Sequence, residues 1–534
     1  MALRTRTFVS FATLAALSAA PSLLVACGSS SSPSPDGRQE GQSEFVSAPP
    51  GGATGGRSLN GGGAETAAPG GADAGAGAGS KATVARKVEE TDLYRLEGDR
   101  LYYLNGYRGL MVFDVSDVAK PKLLGRSPIF GTPVEMLVRG GVAQVVVADW
   151  YGTLADGKPF HGSIVRSLDA RDPANIKVQG EAKLGGWVRD TRVVGDVLYA
   201  VSEDYGWSYG WGYASGGGAV DVAPGGVAVS GRSSGAKVIV SAVSFGGGTV
   251  KETGRIDAPG WGGIFNVTSN AIVFAHDVTD ASKGWEEPTG KTELMYIDIS
   301  DPAGSIKQRG KIAVNGRVQG WGADNGRWNL DFGDEKFAHT IGCGSTYCGG
   351  TGSSFVLATV DFSNPDAPKL SSELSIAGTA WQPTARFVPG RMYLSPSADY
   401  TYYDGSGAAK TPIQVYDTSN PDAPKLAGSA DITGSVWLFM PSGNKLFALG
   451  NEYVGGPYYD SSKVSLRYLD VTDATKPTVL GTSTFGEGWA WTPAAGTFKA
   501  FTKDDKQGLV VLPFSGWSSK SYGYQNGLQL IEFT

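Results

Sequence analysis

The feature that most narrows what this chain can fold into is a phrase that returns eight times: an alternating apolar run, then Asp, any residue, Ser or Thr, Asp or Asn, and a proline soon after. It reads Val112-Phe113-Asp114-Val115-Ser116-Asp117 with Pro121, Tyr296-Ile297-Asp298-Ile299-Ser300-Asp301-Pro302, and Val360-Asp361-Phe362-Ser363-Asn364-Pro365. It returns as Tyr416-Asp417-Thr418-Ser419-Asn420-Pro421 and as Leu469-Asp470-Val471-Thr472-Asp473 with Pro477. Weaker copies are Leu168-Asp169-Ala170-Arg171-Asp172-Pro173 and Val240 to Ser244, and Leu530-Ile531-Glu532 keeps only the strand. Asp and Ser side chains accept from backbone N–H groups two residues on, and proline stops a strand, so each copy reads as a strand ending in a turn.

Each copy is followed by a short strand such as Lys122-Leu123-Leu124-Gly125 and preceded by two more. Four strands per unit of about sixty residues, with no helical periodicity, is the pattern of a β-propeller. The 78 glycines, without a Gly-X-Y period, agree with a turn-rich all-β chain and exclude collagen. The reading is therefore an all-β, single-domain propeller of eight four-stranded blades over residues 81–534, with seven blades as the alternative. The last unit shows only three strands of its own, and residues 82–88 are expected to supply its fourth, closing the ring and removing a free edge.

Glu89-Glu90-Thr91-Asp92-Leu93-Tyr94, Gly98-Asp99-Arg100-Leu101-Tyr102-Tyr103, Gly131-Thr132-Pro133-Val134-Glu135-Met136 and Lys499-Ala500-Phe501 with Gly508 to Pro513 together resemble the secreted β-propeller domain family of bacteria and archaea. The Asp-Val-Ser-Asp phrases also look like LVIVP-type propeller repeats. The resemblance spans about Ala82 to Thr534, and departs at Thr91, where alanine is usual, and in the Gly-aromatic insertion at 205–235. It implies the fold and export, and brings no activity with it.

Residues 1–26 read as an export signal: Arg4 and Arg6, an apolar stretch from Phe8, and Leu24-Val25-Ala26-Cys27, which resembles a lipobox. That resemblance implies a lipidated Cys27. An ordinary signal peptide is the alternative. Gly28 and Ser29 after it point to an outer-membrane lipoprotein, periplasmic or surface-exposed. Residues 27–80 are Gly, Ala, Ser and Pro with scarcely a large apolar side chain, so they are expected to form a disordered tether with a span of roughly 40 Å. In the mature chain only Cys343 and Cys348 remain, and so close a pair in an oxidising compartment is expected to form a local disulfide. With three histidines, His161, His276 and His339, no metal set is evident and no cofactor is expected. A formal charge of −6 offers nothing to neutralise phosphates, which argues against a nucleic-acid partner.

In a four-stranded meander the Asp-Ser-Asp-Pro turns and the second-to-third loops fall on opposite faces. The longer loops carry Trp150 and Tyr151, then Trp207, Tyr209, Trp211 and Tyr213, then Tyr400, Tyr402 and Tyr403, then Tyr458 and Tyr459, and finally Trp517. Tyr and Trp among Gly and Ser suit a binding face, and suit equally rings that hold their own loops down. Trp187, Trp261, Trp321, Trp381, Trp437 and Trp489 recur near the inner strands and are expected at the channel mouth, as blade-packing wedges or a stacking surface. Asp92, Glu135 and Asp190 are the carboxylates placed to do acid–base chemistry, with structural ion pairing the simpler role. The expectation is a lipid-anchored envelope propeller that binds or scaffolds an envelope protein or polysaccharide. The alternatives are a polysaccharide-active enzyme working at the channel and a component of a larger surface machine.

Overall fold

The computed structural model describes residues 4–9 and 86–533, apart from 90–91, 155, 205–235, 247–248, 261, 281–286, 319–323, 347–352, 381, 397–409, 454–461 and 519–521. It contains eight antiparallel sheets in chain order, and they are the eight blades of a propeller, not seven. Blade 1 spans Tyr94 to Ser127, blade 2 Thr132 to Leu184, blade 3 Trp187 to Pro259 and blade 4 Ile264 to Asn315. Blades 5, 6 and 7 run Leu330 to Ala377, Thr384 to Thr433 and Ser435 to Phe485, and blade 8 begins at Trp489.

The recurring phrase is a double turn. Asp298, Asp361 and Asp417 Oδ1 accept from the N–H groups of Ser300, Ser363 and Ser419 at 2.9, 2.7 and 3.0 Å. The next acidic or amide side chain repeats the move, with Asp301 accepting from Ala303 at 2.9 Å and Asn420 from Asp422 at 3.2 Å. These turns dock onto the preceding blade where its fourth strand carries glycine. A Cβ on Gly125 would lie 1.7 Å from the Pro173 carbonyl oxygen, on Gly310 2.5 Å from that of Pro365, and on Gly428 2.5 Å from that of Thr475. The glycine of Lys-Leu-Leu-Gly is thus the notch into which the next blade's turn fits.

Apolar clusters fill the junctions from blades 1 and 2 through to blades 7 and 8, seven in all. Among the described residues the eighth junction, between blades 8 and 1, holds none. Leu96 and Leu123 of blade 1 and Tyr524 and Leu528 of blade 8 are exposed.

Of the segment expected to close the ring, residues 82–85 lie outside the described residues. Val88–Glu89 pairs with Val193 and Val194 on the channel-side edge of blade 3, and Asp92 bridges Met136 of blade 2. Arg86 meanwhile donates to the Ser269 carbonyl of blade 4 at 2.8 Å. Val88 packs against the apolar cluster of blades 3 and 4, and the exposed inner-strand edges take its backbone hydrogen bonds, so the segment lines the channel. In the full-length chain Arg4–Val9 lies antiparallel to Gly527 through Glu532 on the outer edge of blade 8, a strand that leaves with residues 1–26 when the chain is processed before Cys27.

Candidate functional site

The inner strand of blade 8 is split. Trp489–Trp491 pairs with one end of Leu509–Ser518 and Thr502–Asp504 with the other. Between them the chain leaves the sheet through two short 3-10 turns, Pro493–Ala495 and Phe498–Ala500. This excursion carries Phe498 and Lys499 into the channel, where they meet a second inserted turn, Asp324–Asn329, from the connection between blades 4 and 5. Phe498 packs edge-on against Trp328 with ring centroids 5.2 Å apart, and the Arg327 guanidinium lies 4.8 Å from the Phe498 ring. The guanidinium of Arg386, from the inner strand of blade 6, lies 3.3 Å from the centre of the Trp328 ring.

Around this plug sit the carboxylates the sequence singled out. Glu135 and Lys499 are buried and paired at 2.5 Å, while Thr191 donates its hydroxyl to the second oxygen of Glu135. Asp190 takes Arg192 at 2.6 Å and Arg327 at 3.6 Å. Asp92 accepts from the Leu93 N–H at 2.6 Å. Burial disfavours the Lys499 ammonium, but the facing Glu135, with Asp92 and Asp190 behind it, outweighs that and holds its pKa above the ordinary lysine value. Both oxygens of Glu135 are engaged, so the network acts as a charge lock across the channel rather than as a poised acid or base. Lys499, Thr191, Arg327, Trp328, Arg386 and Phe498 were not singled out by sequence. Only the family-like phrase Lys499-Ala500-Phe501 drew attention to that stretch.

A second charged cluster lies beside the channel at blades 3 to 5. Asp277, buried within the second strand of blade 4, holds Arg317 Nε at 2.7 Å, and Arg317 donates on to the Thr346 carbonyl at 3.2 Å. Burial pushes the Asp277 carboxyl up to about 6, with Arg317 pulling the other way. Glu203 joins it, accepting from Arg189 Nε at 3.0 Å and from the Gly262 N–H at 3.2 Å. His276 Nε2 lies 3.2 Å from Glu293, which also holds Lys311 at 3.0 Å. Among the described residues no group of three or more His, Cys, Asp or Glu side chains is arranged to hold a metal ion.

The aromatic residues divide. Trp150 is 1% exposed, with the Arg166 guanidinium 4.9 Å from its ring and Phe160 stacked at 6.0 Å, so its ring belongs to the core and not to a binding face. Tyr151 is half-buried between Phe130 and His161. Trp187 is half-buried opposite Glu203. Trp437 is half-buried and lines a cavity beside Trp328. Trp489, Trp517 and Tyr524 stand in direct cross-strand register on blade 8, with Trp489 48% and Tyr524 75% exposed. Trp491 and Tyr522 beside them are exposed too. Trp207, Tyr209, Trp211, Tyr213, Trp261, Trp321, Trp381, Tyr400, Tyr402, Tyr403, Tyr458 and Tyr459 lie outside the described residues, as do Cys27 and Cys348. Cys343 ends the second strand of blade 5.

The comparisons with known proteins agree with this architecture. An uncharacterized protein of Archaeoglobus fulgidus is 30% identical over 122 residues, 23% of this chain and 18% of that protein, so the match spans less than a fifth of the relative's length. The Beta propeller domain family matches residues 83–320 and 409–533, more than half of the chain. The chain belongs to the Beta propeller domain family.

Proposed function

We propose that this chain is a lipid-anchored binding protein of the cell envelope, held through Cys27 and the polar tether, that docks an envelope protein partner on the aromatic end of blade 8. The observation that carries the reading is the cross-strand row of exposed Trp489, half-buried Trp517 and exposed Tyr524, flanked by exposed Trp491 and Tyr522, on a rigid strand platform. Aromatic side chains offer large contact area at low ordering entropy, and so many of them held in water at one place mark an interaction surface. The charge lock on Glu135 favours binding over catalysis at the channel.

The test is crosslinking and mass spectrometry in the native envelope, comparing wild type with a variant in which Trp489, Trp491, Tyr522 and Tyr524 are serine. A partner captured at defined stoichiometry by wild type and lost in the variant supports the reading, and a fixed assembly would make the chain a component of a larger surface machine. Unchanged capture refutes the surface. Metabolic labelling with palmitate, lost on Cys27→Ser, tests the anchor separately, and no label on wild type refutes it.

A further inference from the structure

Seven of the eight blades end in an outer strand poorly suited to pairing with anything beyond it. In blades 1 to 7 this strand shifts register against the third strand at a bulge. In blades 1 to 6 it also opens on an exposed lysine: Lys122, Lys177, Lys251, Lys307, Lys369 and Lys425. A bulge twists an edge away, and a strand laid alongside a lysine must strip its charge of water, so both keep a free edge from joining another sheet.

Blade 8 has neither device. Its outer strand, Gly523–Glu532, pairs with the third strand, Leu509–Ser518, over all ten of its positions without a shift. It carries no lysine or arginine, and its one charge is Glu532 at the end. The edge is therefore straight and open to pairing. It does pair: among the described residues blade 8 is the one blade whose outer edge takes a further strand, Arg4–Val9, in register with Gly527 to Glu532. Cleavage before Cys27 removes that strand and bares the edge.

The bared edge is complementary to itself. Laid antiparallel against a second copy with Leu528 facing Leu528, it sets Asn526 opposite Leu530 and Tyr524 opposite Glu532 of the other copy. These residues are spaced by two and so share one face of the strand, on which Tyr524, Asn526, Leu528 and Glu532 are exposed. Pairing about residue 528 keeps that face continuous across the seam, whereas a slip of one residue would break it. The single charge of each edge falls opposite a tyrosine, so no like charges meet. Pairing from Tyr524 to Glu532 supplies roughly nine backbone hydrogen bonds, near the ten or so of an ordinary interface. The two-fold arrangement covers both bared edges at once and closes at two copies.

We propose that the processed chain forms a dimer through the outer strand of blade 8, two copies joining rim to rim as antiparallel strands about Leu528. The proposal rests on the loss of residues 1–26, which belongs to the export reading, and not on the aromatic row as a docking surface.

The experiment is sedimentation equilibrium of the purified chain from Gly28 onward, which keeps all eight blades. Its dimer should dissociate in the micromolar range, as suits a contact built on one strand pair. Leu528→Lys, at a side chain 51% exposed, should weaken it about fivefold or more, through loss of the leucine pair and two lysines set face to face. Leu528→Glu should do the same, and an equimolar mixture of the two variants should recover the dimer as a mixed pair. Leu426→Lys, at a leucine 49% exposed on the bulged outer strand of blade 6, should leave it unchanged. All three changes are at exposed side chains and should melt as wild type does. A monomer at every concentration, or equal weakening by Leu528→Lys and Leu426→Lys, overturns the proposal. The sample holds no envelope partner, so success or failure of capture at the aromatic row leaves the result untouched. The intact mass of the native protein reads the cleavage separately, and a native chain that keeps residues 1–26 would refute the export reading and with it an open edge in the cell.

Discussion

Lys499 of blade 8 and Glu135 of blade 2 stand 2.5 Å apart across the channel, although 364 residues separate them and blade 1 lies between their blades. Where, among the described residues, no apolar cluster joins blades 8 and 1, this buried pair ties blade 8 to blade 2. Removing one partner leaves an uncompensated buried charge, which typically costs about 3–5 kcal/mol. Lys499→Met or Glu135→Gln should lower the first denaturant midpoint clearly, whereas the double variant should recover much of the loss. A double-mutant cycle measures it, and additive effects would show that the pair carries no coupling.

The repeated turns set the acid limit of stability. Asp361 and Asp417 are held below the usual carboxylate range by the hydroxyl and N–H of Ser363 and Ser419, and Asp169 is held at about 2 by its Arg171 contact. A carboxyl whose pKa falls on folding contributes stability that is present above its unfolded value near 4 and lost as the pH drops through the folded one. Stability should therefore decline from about pH 4 toward pH 2. Asp417→Asn keeps the acceptor, as Asn364 and Asn420 do at neighbouring positions, so at neutral pH it should melt close to wild type and above Asp417→Ala. Thermal melts across this range decide it.

Asp277 should behave in the opposite sense. Its carboxyl is raised to about 6 by burial, so the folded state holds that proton more tightly than the unfolded chain. This contribution is fully present below about pH 4, falls as the pH rises toward about 6, and is then lost, a swing on the order of 3 kcal/mol. Asp277→Asn cannot ionise, so its stability relative to wild type should increase between those limits. A constant difference from pH 4 to 7 would show that the carboxyl titrates normally.

The glycine notches make a steric prediction. Gly125→Ala would set a methyl 1.7 Å from the Pro173 carbonyl oxygen and force the blade 1–blade 2 junction apart, whereas an alanine Cβ at Gly496 would come no closer than 3.7 Å to its nearest neighbour. The first should cost about 1–3 kcal/mol or more, and the second should be close to neutral. Equal midpoints for the two variants would mean that the turns do not seat in the glycine strands as described.

What the sequence determined by itself is local. The double turns rest on contacts two residues apart, and the alternating strands on burial of every second side chain, so blade number and the placing of the turns could be read from spacing alone. The aromatic row of blade 8 was half legible: Trp489 and Trp517 were singled out, but as members of different sets, because their register depends on pairing across strands. Trp150 was assigned to the surface because a loop-end aromatic looks the same in sequence whether it faces water or, as here, lies beneath Arg166. Only the tertiary structure decided where residues 86–89 and Asp92 lie, which blade junction lacks an apolar cluster among the described residues, and that Lys499 meets Glu135. Those outcomes depend on how eight separately formed sheets come round in space, and whether the ends of the ring meet is set by the summed twist and packing of all of them, which no local run of residues encodes.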